Sequence, residues 1–162
     1  MFRVAEVGGE RVAIVHGDAD SLAGRGFSQE ALATHAGREA ARAAFAEAQV
    51  RVFASSHACL PVLQSFGAAG LVANNGAAGM PNIAGTAYGL ATRISVRPAP
   101  DAPYGERIGP LHVEAIPSRY EPRAWLEAFL ALWPEGSDAH ASYFECLVRG
   151  PRYALPQARR AA

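Results

Sequence analysis

Three apolar runs in this sequence stop on side chains that can do chemistry. Ala13-Ile14-Val15 runs into His16-Gly17-Asp18, Val52-Phe53-Ala54 into Ser55-Ser56-His57, and Leu71-Val72-Ala73 into Asn74-Asn75-Gly76. Each run has the composition of a core strand. Each delivers a polar or metal-competent group where it stops, followed by glycine or small residues that let other groups come close. In open α/β sheets, ligands bind at that carboxyl edge. Neighbouring strands lie about 4.8 Å apart, so side chains from such ends can meet around one ion. His16 and His57 are the candidates for that meeting.

Each residue also has a structural reading. A histidine after a strand is often a hydrogen-bonded loop residue. Asn-Asn-Gly is a turn sequence, because asparagine and glycine tolerate positive φ. Cys59 can be a small buried hydrophobe, and Asp18 and Asp20 can cap their own turn. The coincidence of three strand ends is what raises the functional reading of the histidines. A cysteine hydrolase built on Cys59 and His57, two residues apart, is disfavoured because no oxyanion motif or orienting carboxylate accompanies them.

The elements that must position these groups follow from local pattern. Phe2 to Val7 and Glu10 to His16 form an expected hairpin through Gly8-Gly9, a favoured two-residue turn. Ser28 can cap a helix running from Gln29 to about Ala48, which Gly37 weakens without ending. Short strands are expected at 51–54 and 70–73. Two antiparallel strands, 86–96 and 111–116, are expected on either side of a Pro/Gly-rich loop. Pro122 starts a last helix, where its missing N–H costs nothing. That helix carries a stripe of Trp125, Leu126, Phe129, Leu130 and Trp133, of which Trp125 and Phe129 are expected to lie buried on the sheet. The tail, 150–162, is expected to lie along the surface or fray. With no internal repeat and no interdomain linker, residues 1–162 read as a single domain.

Composition bounds the function. The chain has 162 residues, half of them hydrophobic and 19% charged, the profile of a globular protein. Acids and bases balance at 15 each, so no overall field draws it to nucleic acid or to an anionic membrane. All 15 bases are arginine. The absence of lysine excludes a Walker-type phosphate loop and any Schiff-base mechanism. No run approaches the ~18 apolar residues of a membrane span. The N-terminus lacks the features of a signal peptide. Cys59 and Cys146 are therefore expected to be free thiols in a cytoplasmic protein.

The stretches His16 to Gly24, Phe53 to Pro61, Asn74 to Asn82 and Trp133 to Phe144 together resemble a bacterial branch of the calcineurin-like metallophosphoesterases. The similarity spans nearly the whole chain. In that family two metal ions sit between the halves of a sandwich. The N-terminal half supplies Asp-x-His, Gly-Asp-x-x-Asp and Gly-Asn-His motifs. The C-terminal half supplies a histidine after a strand and then Gly-His-x-His. His16 matches the first of these C-terminal ligands and His57 the first histidine of the second. Cys59 falls where the family has its second histidine, and Asn75 is assigned to lining the cleft that binds substrate. The resemblance implies an α/β fold, half of an α/β/β/α sandwich, with a mixed β-sheet flanked by helices on one side. It also implies hydrolysis of a phosphate ester by a metal-bound hydroxide.

The N-terminal motifs do not occur in this sequence, and Gly17-Asp18-Ala19-Asp20 has the wrong spacing and place. Met1 begins about where the family's second half would begin. The expectation is therefore a C-terminal half that is incomplete or inactive alone and partnered by a complementary N-terminal half. It should bind at most one divalent ion (manganese, zinc or iron), with zinc favoured if the soft Cys59 thiolate takes part. The alternative is a non-catalytic module of the same fold that forms a homodimer through an exposed apolar face.

Overall fold

The computed structural model describes residues 2–161. Its centre is a six-stranded mixed sheet built from β1 (Arg3–Val7), β2 (Glu10–Ile14), β3 (Val52–Ser55), β4 (Val62–Ser65), β5 (Leu71–Asn74) and β9 (Arg159–Arg160), in the order β1-β2-β3-β5-β4-β9. The hairpin of β1 and β2 closes as its sequence predicts, with Gly8 and Gly9 both at positive φ and Val7 opposite Glu10. β3 is parallel to β2, and β5 is parallel to β3, so three strands stop at one edge. A separate antiparallel sheet, order β6-β8-β7, contains β6 (Tyr88–Ser95), β7 (Gly105–Ile108) and β8 (Leu111–Arg119).

Strand alternation sorts the core into layers. Ala13, Phe53, Val62 and Val72 face the helical layer, where they meet Phe27, Leu32, Ala41, Phe45 and Phe66. Val12, Val52, Leu63, Leu71 and Ala73 face the small sheet and pack on Leu111 and Val113. The chain is thus a mixed α/β protein whose mixed sheet is flanked by helices on one face and by the small sheet on the other.

The helical layer departs from expectation. One helix was expected across 29–48; there are two, α1 (Gln29–Ala33) and α2 (His35–Ala48). Thr34 makes the break. Its backbone is extended, and its side chain accepts from Gly37 N to cap α2. Arg38 meanwhile donates to Leu32 O and Ala33 O at the end of α1. Gly37 has a packing role instead, since a Cβ there would sit 2.1 Å from Ala31 O. Pattern reading favoured a continuous helix because composition is blind to a threonine acting as a cap.

The C-terminal third requires further corrections. α3 (Pro122–Leu132) starts at Pro122 as expected, but Trp125 is 40% exposed, its ring in a T-shaped arrangement with Tyr120. Phe129 is buried at 6%, beside His140 of α4 (Asp138–Arg149), a helix the pattern did not give. Through residue 161 the tail lies along the surface except at Tyr153 and Ala158, which are buried. Tyr153 is 2% exposed, its hydroxyl lies 2.8 Å from Pro61 O, and β9 adds to the sheet beside β4 after the short helix α5 (Leu155–Ala158). β4 and β7 were also not anticipated, being four residues each with no alternation long enough to read.

Candidate metal centre

The bonding of β2, β3 and β5 continues past their ends and fixes the loops that carry the histidines. Val15 N donates to Ala54 O, Ser56 N to His16 O, and Asn75 N to Ser55 O. The Ser55 hydroxyl donates to Gly17 O at 2.5 Å. Asn74, buried at the end of β5, locks the junction from below. Its amide donates to Phe27 O and Ser56 O, and its Oδ1 accepts from Gly76 N. Sequence reading chose Asn75 and passed over Asn74. Their difference is the strand period, since Asn74 pairs with Ser55 and points inward.

His57 sits in a tight three-residue turn closed by Ala58 N donating to Ser56 O, at φ 64. A residue with a Cβ in this left-handed region costs roughly 1–2 kcal/mol. The turn throws the ring towards β2. Nδ1 of His57 lies 3.2 Å from Nε2 of His16, with ring centroids 5.0 Å apart and planes at 66°. Both residues are exposed. Without an ion, one nitrogen can donate to the other. With one, the spacing fits shared ligation: zinc–nitrogen bonds of about 2.0–2.1 Å at a tetrahedral angle separate two nitrogens by roughly 3.3–3.4 Å.

Asp18 builds the floor of the adjoining loop. Its carboxylate accepts from Asp20 N, Ser21 N and Gly26 N at 2.9–3.0 Å. Burial pushes its pKa up, but these three N–H groups and the nearby His57 imidazole outweigh it and hold the carboxyl below its usual range. The capping role that the sequence allowed for Asp18 is the one it performs.

Cys59 is exposed, and the Cys146 thiol, pushed up first by burial, also feels the charge of Cys59. Both cysteines are free. Among the described residues, no group of three or more histidine, cysteine, aspartate or glutamate side chains is placed to hold one ion. The Asn75 amide donates to Leu90 O at 2.8 Å and ties the end of β5 to β6. A groove of about 550 Å³ opens on the helix side of β2 and is lined by Val4, Val15, Asp20 and Ala44, but by neither histidine. No protein-family profile matches this chain, and no curated protein matches it in sequence.

Proposed function

We propose that this chain is the C-terminal half of a metal-dependent phosphoesterase, contributing two imidazole ligands to a divalent ion whose other ligands come from a complementary polypeptide. The observation that carries the reading is the 3.2 Å approach of His16 and His57 across 41 residues of sequence, at the carboxyl edge of parallel strands. The motif resemblance over most of the chain supports it. So does the compatibility of a mixed sheet, helices on one face, with half of an α/β/β/α sandwich. Imidazole donors suit zinc or iron better than manganese. A bound ion supplies Lewis acidity towards a phosphate-ester oxygen. The chain's own residues hold and orient: the His57 turn aims one ring, Asp18 fixes the loop after His16, and Asn74 and Asn75 hold the strand ends in place. Among the described residues no helix is long and apolar enough to cross a membrane; a cytoplasmic location belongs to this proposal.

Zinc titration followed through the histidine ring resonances tests it. One ion should shift both rings together, and His16→Ala or His57→Ala should weaken binding at least ~10-fold. Zinc leaving both rings unmoved would remove the basis of the proposal. The chain alone should not hydrolyse a chromogenic phosphodiester at enzymatic rates.

A second reading, a non-catalytic module that pairs with a second copy or partner, is favoured by the exposure of Phe2, Leu132 and Trp133. Light scattering of the purified chain discriminates: a monomer argues against self-pairing.

A further inference from the structure

The two sheets are unequal. Six strands form one layer and three the other. β7 lies over the β4–β9 side, held there by Arg159 donating to Glu106. The small sheet therefore leaves the opposite flank, towards β2 and β1, partly uncovered. Val12 on β2 is buried beneath it, yet Ile14, two residues on and on the same face, is 48% exposed. Arg3, opposite Ile14 on β1, is exposed on that face too. His16 follows in the same alternation.

The strand bordering this gap is β6, and its outer edge is open. On β8, Ala115 N donates towards β7, to Tyr104 O. Residues of that parity on β8 turn their backbone groups away from β6, so their partners Leu90, Thr92 and Ile94 turn theirs outward. The Leu90 carbonyl is taken by Asn75, at the strand ends beside the histidines. The N–H and C=O groups of Thr92 and Ile94 meet no partner among the described residues. β6 has eight residues and no proline; Ala77 and Ala78 pack against Gly89 at its start and Arg93 sits at its centre, which leaves Thr92 and Ile94 as the open stretch of the edge.

We propose that the outer edge of β6 and the uncovered Ile14 face form a strand-addition site for a second polypeptide, of different sequence, whose strand is apolar on its inner face and acidic at the end nearest the histidines. The inference rests on the metal reading above for the acidic end alone. A strand added at Thr92 and Ile94 covers Ile14. Its end towards Leu90 lies on the side of the strand ends that lead to the two histidines, which would hold an ion together with carboxylates of the added strand. Arg3 on the same face favours acidic over basic neighbours. A second copy of this chain is the poorer occupant in the register that pairs Thr92 with Ile94, because that antiparallel pairing sets two Arg93 side chains directly opposite.

The probe is a synthetic ten-residue peptide alternating valine and threonine and ending in two aspartates, added to the 15N-labelled 162-residue chain. Exchange of the Thr92 and Ile94 amides should slow at least tenfold, and the peptide should tighten zinc binding at least tenfold relative to one ending in alanines. Ile14→Asp, at an exposed position, should abolish the protection, as should Thr92→Pro, which removes an outward N–H; Ile14→Asp serves alone if the proline variant does not fold. Unchanged exchange at both amides with millimolar peptide overturns the proposal. So does protection in the isolated chain as a dimer, which would make a second copy the occupant. If zinc moves both histidine rings but the peptide protects nothing, strand addition falls and the metal reading stands. If the peptide protects the edge but zinc leaves the rings unmoved, the reverse holds.

Discussion

His57 holds a conformation that its residue type disfavours, and the ring it aims is the one that meets His16. Strain of this kind persists only where surrounding bonds over-determine the backbone, and it collects at functional positions. His57→Gly should accordingly leave thermal stability unchanged or raised by up to ~1 kcal/mol while removing zinc binding; a large drop in melting temperature would show the ring to be structural. Asp18 obeys a different logic. Its folded pKa lies below the unfolded value near ~4. A depressed carboxylate adds stability above its unfolded pKa and loses it as pH falls through the folded one. Urea melts should therefore show Asp18→Asn less stable than the parent at neutral pH, with the gap closing below about pH 4.

At the scale of elements, α3 corrects the idea that an apolar stripe must be a core stripe. Phe129 is buried with its ring tilted beside His140, whereas Trp125, one turn earlier, stands 40% exposed. Phe129→Ala should cost ~3–5 kcal/mol. Trp125→Ala should cost about 1 kcal/mol or less. Comparing the two denaturation midpoints checks the assignment, and equal losses would place Trp125 in the core after all. The break at Thr34 is of the same scale. A helix-forming composition ran through it, but a side-chain oxygen aimed at Gly37 N ends one helix and starts the next.

Across the whole molecule, the C-terminal segment closes the large sheet and brings Tyr153 into the core against Pro61. Burial pushes the Tyr153 hydroxyl up to about 12, with Glu30 adding to the rise and Arg160 opposing it. Tyr104 is raised further, by burial and by Tyr153. Phenols with raised folded pKa values stabilise the fold below the unfolded value near ~10, and that contribution is lost as pH climbs through the folded value. Stability measured by denaturant should fall between about pH 10 and 12, and Tyr153→Phe should flatten that fall.

What the sequence determined by itself was local. Gly8-Gly9 set the hairpin because only a turn with positive φ closes it. Ser28 capped α1, and Pro122 began α3, for reasons contained in one turn of chain. Each apolar run stopped where its polar residues began, which put His16 at the end of β2 and His57 just beyond β3. Tertiary structure decided the rest. That β3 lies between β2 and β5, with β4 turned antiparallel beyond them, is a pairing over tens of residues, and no local pattern encodes it. That pairing brought Nδ1 of His57 to 3.2 Å from Nε2 of His16 and turned Asn75 to β6. It also buried Tyr153, exposed Ile14 and left the edge of β6 open. Caps and turns are fixed by atoms a few residues apart, whereas burial and strand neighbours depend on which distant surface arrives to cover them.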